Sequence, residues 1–328
     1  MCVLCLDSMC VLCLDNRNDI ELTDTNRALQ MLHGGGFGKN GGSLHMFQFI
    51  IGMDSACGGV YEHSPFEGIV LVQCTEYQLS NMKKVYSTLT KASSVQDLPA
   101  PKRLHWKCSP DVQALLSSAG KLQRQFTISS HFVCVFQKMS PDAYIQLAIQ
   151  LAFYRYNGKF ASTYESTLVC RFCEGRVGNI RSSMTDAKSS VHEAEKMKKL
   201  WDAIKAQTNY SILAITGMAV DNHLLGLREI AQEMNMEKPD IYSDETYFIS
   251  NQFILTTSQV PITAEMFCCY GLVVPNGYGV CYNPQSDYII FSVSSFQDGK
   301  ETCSSGFVKA GGSYSEKLQL ILMLPQTD

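Results

Sequence analysis

Apolar residues change their spacing along this chain, and the changes mark out its elements. Residues 22–32 carry them at helical intervals, with Thr23 placed to cap the helix and Gly34-Gly35-Gly36 to stop it. Residues 44–51 read as a strand. Gly68-Ile69-Val70-Leu71-Val72 is apolar on every side and predicts a buried helix. A polar stretch then ends in Asp97-Leu98-Pro99-Ala100-Pro101-Lys102, which places a domain boundary near residue 105. Ser140-Pro141-Asp142 opens a capped helix that runs through Ile145, Ala148, Ile149, Ala152 and Phe153 to Gly158. Residues 193–234 are helical with a break near Thr216-Gly217. Past Tyr247 the pattern becomes that of strands, over 253–260, 267–274, 279–282 and 288–296, with turns at Pro275-Asn276-Gly277 and Asn283-Pro284. The sum is an α/β fold with mixed sheets, in two domains spanning residues 1–105 and 106–328.

Composition narrows the function classes. The 328 residues are 45% hydrophobic and 18% charged, enough for two cores. The net charge of -4 comes without any basic block, which argues against a nucleic-acid partner. No apolar run is long enough to span a bilayer, and the apolar start carries Asp7 and Asp15, unlike a signal peptide. A soluble, cytoplasmic protein is the expectation. Its 14 cysteines are scattered through apolar segments and read as reduced, buried thiols. The pairs Cys2/Cys5 and Cys10/Cys13 lie too close together for a usual zinc loop, and residues 1–7 recur as 9–15, so the second pair copies the first. No resident metal or permanently bound cofactor is expected. Gly36-Phe37-Gly38-Lys39-Asn40-Gly41 fits G-x-G-x-x-G in form, but it follows a helix and precedes a strand, the reverse of a dinucleotide site.

Two places carry candidate chemistry. In Glu62-His63-Ser64-Pro65-Phe66-Glu67-Gly68, His63 stands at the mouth of a helix, with Ser64 as a cap and Pro65 at the first helical position. The positive end of a helix dipole disfavours imidazolium and so keeps such a histidine a neutral base, with Glu67 one turn on. A packed or solvated histidine is the alternative. In Ile254-Leu255-Thr256-Thr257-Ser258-Gln259, strand alternation turns Thr256 and Ser258 to one face, where two hydroxyls can meet an oxyanion. The alternative there is the ordinary liking of threonine for strands.

Several of these segments together resemble the choline/carnitine acyltransferase family. They are Leu32-His33-Gly34-Gly35-Gly36, Glu62-His63-Ser64-Pro65-Phe66, residues 68–76, Thr163-Tyr164-Glu165-Ser166, Glu174-Gly175-Arg176-Val177, Asn179-Ile180-Arg181-Ser182, Asp221-Asn222-His223-Leu224-Leu225, Thr257-Ser258-Gln259-Val260-Pro261 and residues 273–279. The resemblance implies two chloramphenicol-acetyltransferase-like domains, the first only partly present, with the active site between them. It implies acetyl transfer from acetyl-CoA, as co-substrate, to the hydroxyl of choline, by a monomer when complete. His63 matches the general base, Ser258 the hydroxyl that meets the oxyanion, and Glu67 the acid behind the histidine. Gln259, Lys138, Asp142 and Ser166 fall at CoA-contacting positions. Tyr164, Tyr270, Thr256, Val177 and Asn222 fall at positions that meet the acetyl acceptor. Carnitine enzymes of the family hold carnitine's carboxylate with an arginine and a threonine where this chain has Asn222 and Val177, which favours choline over carnitine. Three departures point to an alternative, a chain without activity: most of the family's amino-terminal half is missing, the lysine-rich segment is shortened so that Lys138 alone matches a phosphate lysine, and Gly178 replaces an aspartate.

Overall fold

A computed structural model of the chain describes residues 2–3, 10–15, 21, 23–33, 47–64, 67–89, 107–119, 124–132, 139–169, 171–173, 175–182, 193–261, 264, 266–286 and 288–311. The glycine-rich segment 34–41, Cys5 and Lys138 lie outside these residues. The chain separates into two units, Met1–Gln123 with Pro261–Met266 and Arg124–Val260 with Phe267–Asp328.

The first unit holds a four-stranded sheet in the order β1 (Cys2–Val3), β2 (Cys10–Asp15), β3 (Phe47–Gly52), β4 (Cys57–Tyr61). The β2–β3 pair is parallel and its neighbours antiparallel, so the sheet is mixed. Alternation sends Val11 and Cys13 inward, where they meet Ile50, Val60 and Met31, while Leu12 and Leu14 face outward. Met31 belongs to α1 (Asp24–His33), which begins as the sequence predicts: the Asn26 amide donates to Thr23 Oγ1 at 3.2 Å. The helix α2 (Gly68–Leu89) departs from its expected burial. Among its described side chains only Val72 is buried, and Val70, Tyr77, Met82, Val85 and Tyr86 are exposed. Past Val72 the apolar residues Leu79, Met82, Val85 and Tyr86 recur at helical spacing on one side, and all four are exposed. A short helix, α3 (Pro110–Ala119), exposes Val112 and Leu115.

The second unit is built on a six-stranded sheet in the order β5 (Arg124–Phe132), β10 (Tyr288–Phe296), β9 (Tyr278–Pro284), β8 (Leu255–Gln259), β6 (Thr163–Leu168), β7 (Val177–Ile180). β8 runs parallel to β6 and β9, and the outer pairs are antiparallel, so this sheet is mixed as well. One face is covered by α4 (Pro141–Asn157), whose ends are fixed by local chemistry. Ser140 Oγ accepts from the Ala143 amide at 3.3 Å, Pro141 opens the helix, and Gly158 at φ 70 closes it with its amide on Tyr154 O at 2.7 Å. Tyr144, Ile145, Ile149 and Phe153 pack from α4 onto Leu255, Val280, Tyr282 and Val293, with Phe307 closing the same core from the helix over 304–311. Ala143 and Leu147 seat α5 (Glu193–Ile215) through Ala203 and Ile204. The predicted break is present: α5 stops at Ile215, Gly217 turns at φ 75, and α6 (Val220–Glu233) follows. A single 3-10 turn, Asp240–Ser243, and α7 (Glu245–Ser250) lead into β8.

Residues 267–274 do not form the expected strand. Both edges of β9, the strand that follows, are already taken by β8 and β10, so the segment cannot pair with it as a hairpin. It lies over the sheet face opposite α4 instead, with the Tyr270 hydroxyl donating to Val280 O at 3.4 Å. Gly279 permits that approach: a Cβ there would stand 2.6 Å from Ser294 Oγ and 3.1 Å from the Tyr270 ring. No helix among the described residues is long and apolar enough to cross a membrane.

Candidate active site

The predicted site residues fall into separate groups. His63 and Glu67 belong to the first unit. His63 follows the end of β4 and is exposed, its ring centroid 5.9 Å from that of Tyr61. Ser64 turns back onto Glu62. Its amide and its hydroxyl both donate to Glu62 Oε1, at 3.1 and 3.0 Å, and these bonds hold the Glu62 carboxyl below its ordinary value. The helix begins at Gly68, just past a partly buried Glu67 whose carbonyl accepts from the Val70 amide at 3.0 Å, and Pro65 lies outside the described residues. His63 therefore stands five residues before the helix instead of at its mouth.

Five other candidates converge on one face of the six-stranded sheet, the face turned away from α4. Strand parity puts Tyr164 and Ser166 of β6 on the same side as Thr256 and Ser258 of β8, since Tyr164 pairs in register with Thr256. Ser166 Oγ and Ser258 Oγ are 3.5 Å apart. Thr256 is buried and donates to Tyr278 O at 3.1 Å. Tyr270 comes from the overlying segment, close to Thr256 and Tyr164. Its ring is partly exposed while its hydroxyl is buried, and burial raises the phenol pKa. The Tyr164 ring meets that of Phe253 edge to face, with centroids 5.4 Å apart. At the β7 edge, exposed Asn222 of α6 donates from Nδ2 to Val177 O at 3.3 Å.

Asp142 and Gln259 lie elsewhere. Gln259 is exposed at the end of β8, on the parity of Thr257, which faces α4. Asp142 is in the first turn of α4, where its Oδ1 accepts from the Tyr282 hydroxyl at 2.5 Å. The same hydroxyl lies 2.8 Å from Glu165 Oε1, and Gln146 Nε2 donates both to Tyr282 Oη at 3.0 Å and to Thr257 Oγ1 at 2.9 Å. Burial, then the nearby Asp142 charge, push the Glu165 carboxyl well above its ordinary value. Sequence reading missed this network. Its one local signal is a pair of glutamines, Gln146 and Gln150, spaced four apart on the apolar face of α4.

The opposite face can do two things. Its hydroxyls can hydrogen-bond a developing oxyanion, and its tyrosine rings can meet a cation. Among the described residues no three of His, Cys, Asp and Glu are placed to hold a metal.

Comparison with known proteins agrees with this chemistry. The family described as choline/carnitine O-acyltransferase matches the chain over residues 5–310. A choline O-acetyltransferase of Danio rerio is 57% identical over 332 residues, which are 94% of this chain and 51% of that protein. The Homo sapiens choline O-acetyltransferase is 52% identical over 353 residues, covering 100% of this chain and 46% of that one. A carnitine O-acetyltransferase of Homo sapiens is 39% identical over 295 residues, 83% of this chain and 47% of its own. The chain thus spans about half the length of the curated relatives it matches.

Proposed function

The chain belongs to the choline/carnitine O-acyltransferase family, and on that premise we propose that it transfers the acetyl group of acetyl-CoA to the hydroxyl of choline, giving acetylcholine and CoA in the cytoplasm. His63 takes the hydroxyl proton as the choline oxygen attacks the thioester carbon, and Glu67 steadies the imidazolium that forms. The Ser258 hydroxyl donates to the oxyanion of the tetrahedral intermediate. Collapse breaks the carbon–sulfur bond, and the proton held by His63 passes to the departing thiolate. Gln259, Lys138, Asp142 and Ser166 are assigned to CoA. Thr256 lines the acceptor pocket, and Tyr164 and Tyr270 present their rings to the quaternary ammonium, a contact worth roughly 0.5–2 kcal/mol each.

The observation that carries the choice of choline is the β7 edge. Carnitine-type members answer a carboxylate with arginine and threonine, but here Asn222 and Val177 bond to each other at 3.3 Å. Neither side chain carries the positive charge or the bidentate donors that would answer a carboxylate. Greater identity to the choline O-acetyltransferases than to the carnitine O-acetyltransferase, 57% against 39%, supports the same choice.

The test is transfer of radiolabelled acetyl from acetyl-CoA by the purified protein, with choline and carnitine as competing acceptors and His63→Ala as control. Acetylcholine should predominate, and the His63→Ala protein should be slower by about 10²–10⁴-fold. Equal background from both proteins refutes catalysis by His63, and equal use of carnitine refutes the reading of Asn222 and Val177.

A further inference from the structure

Phe253 occupies the bend between α7 and β8 with its backbone in the left-handed region, at φ 47. That conformation is uncommon for an aromatic residue and natural to glycine or asparagine, so the ring at this position is kept against the preference of its own backbone. Two contacts engage the ring. One side meets Tyr164 edge to face, with centroids 5.4 Å apart and planes at 65°. The Arg181 guanidinium stands over it, 5.3 Å from the centroid. Arg181 is itself fixed from several directions: it bonds Asp221 through Nε and Nη2, the Ser250 carbonyl at 2.7 Å and Asn251 Oδ1 at 2.8 Å. The Arg181–Phe253–Tyr164 stack therefore begins on a guanidinium anchored to α6 and to the end of α7. It ends on a ring of the candidate site.

An edge-to-face contact sets the angle of its partner ring as well as its position. A cation is attracted to the face of an aromatic ring and not to its edge, so the angle decides whether a tyrosine can recognise one. We propose that Phe253 is a positioning residue for choline: it holds the Tyr164 ring at the angle at which its face meets the quaternary ammonium, and Arg181 holds Phe253 in turn. This rests on the reading that choline is the acetyl acceptor.

The experiment compares choline with its uncharged carbon isostere, in which tert-butyl replaces trimethylammonium, as acetyl acceptors for the parent protein and for Phe253→Asn, Phe253→Leu and Phe253→Tyr. Asparagine accepts the left-handed backbone, so in Phe253→Asn backbone relief offsets part of the stability lost with the two ring contacts. Its choline KM should rise about 3- to 10-fold with little change in kcat, and its preference for choline over the isostere should fall by the same factor. Phe253→Leu should lose the preference too, and Phe253→Tyr, which retains the ring, should keep it. A preference unchanged in the Asn and Leu variants overturns the proposal, whatever happens to Tm; so does its loss in the Tyr variant. Should the parent transfer acetyl to neither alcohol, equilibrium binding of the two alcohols to the same four proteins reads the same ratio. A parent without any preference for choline refutes the proposed substrate, whereas a parent preference that the Asn and Leu variants share refutes only the role of Phe253.

Discussion

Replacing Glu165 by glutamine should make the fold less sensitive to pH, and the reason lies in how one hydroxyl serves two carboxyls. Tyr282 Oη stands 2.5 Å from Asp142 Oδ1 and 2.8 Å from Glu165 Oε1, and it already accepts from Gln146 Nε2 at 3.0 Å. It has one hydrogen to give. With both carboxyls ionised, one short contact would bring two lone-pair oxygens together in a buried site, so one carboxyl carries a proton. Glu165, at 3% exposure, is the more buried of the two, and burial followed by the Asp142 charge raises its pKa well above 4.5. In the unfolded chain the same group ionises at its ordinary value. Between the two values the folded state binds a proton that the unfolded state has released. Stability is therefore lost as pH rises through this window, by up to about 1.4 kcal/mol per pH unit. Glutamine keeps the shape and the donor of the protonated acid and removes the titration. Urea unfolding followed by circular dichroism from about pH 5 to about pH 8 should give a flatter curve for Glu165→Gln than for the parent, with the variant the more stable at the upper end. Parallel curves, or a parent that gains on the variant as pH rises, would show that Glu165 is ionised in the fold.

The ends of α4 offer a simpler measurement. Gly158→Ala places a side chain at φ 70 where nothing lies within 4 Å of the new Cβ, so backbone conformation alone should cost about 1 kcal/mol. Ser140→Ala removes the cap on the Ala143 amide and should cost about 1 kcal/mol, additive with the first because the sites are a helix apart, as denaturant titration of the single and double variants will check. For selectivity, Asn222→Arg with Val177→Thr should move the choline-to-carnitine ratio of kcat/KM toward carnitine by at least about tenfold. An unmoved ratio means that the β7 edge does not read the acceptor.

What the sequence revealed follows the range of the interactions involved. The limits of α4 were legible in Ser140, Pro141 and Gly158 because a cap is made within four residues of itself. The shared face of Thr256 and Ser258 was legible because strand parity is local, although their partners Tyr164 and Ser166 became candidates only through the family resemblance. Ser64 misled because its amide and hydroxyl both donate to Glu62, two residues back, while the helix begins only at Gly68. Residues 267–274 misled for another reason. Their propensity suits a strand, but propensity does not register that both edges of β9 are occupied. The carboxyl network was out of reach altogether: Tyr282 meets Glu165 across 117 residues and Gln146 across 136.

That network also bears on the face that carries the candidate chemistry. β6 and β8 pair through only three register positions, Thr163 with Leu255, Tyr164 with Thr256 and Glu165 with Thr257. A parallel ladder so short fixes its register weakly by itself. Side chains beneath the sheet add to it. Thr257 Oγ1 donates to Tyr164 O at 3.0 Å, tying the backbone of one strand to a side chain of the other, and Gln146 holds that threonine from α4. Gln150 bonds Thr163 on β6 and reaches Ser182 beyond β7 at 3.2 Å. Because successive residues of a strand point to opposite sides, whatever fixes Glu165 and Thr257 on the α4 side also fixes Tyr164, Ser166, Thr256 and Ser258 on the other. The buried polar groups under the sheet thus set the relative positions of the hydroxyls and rings above it.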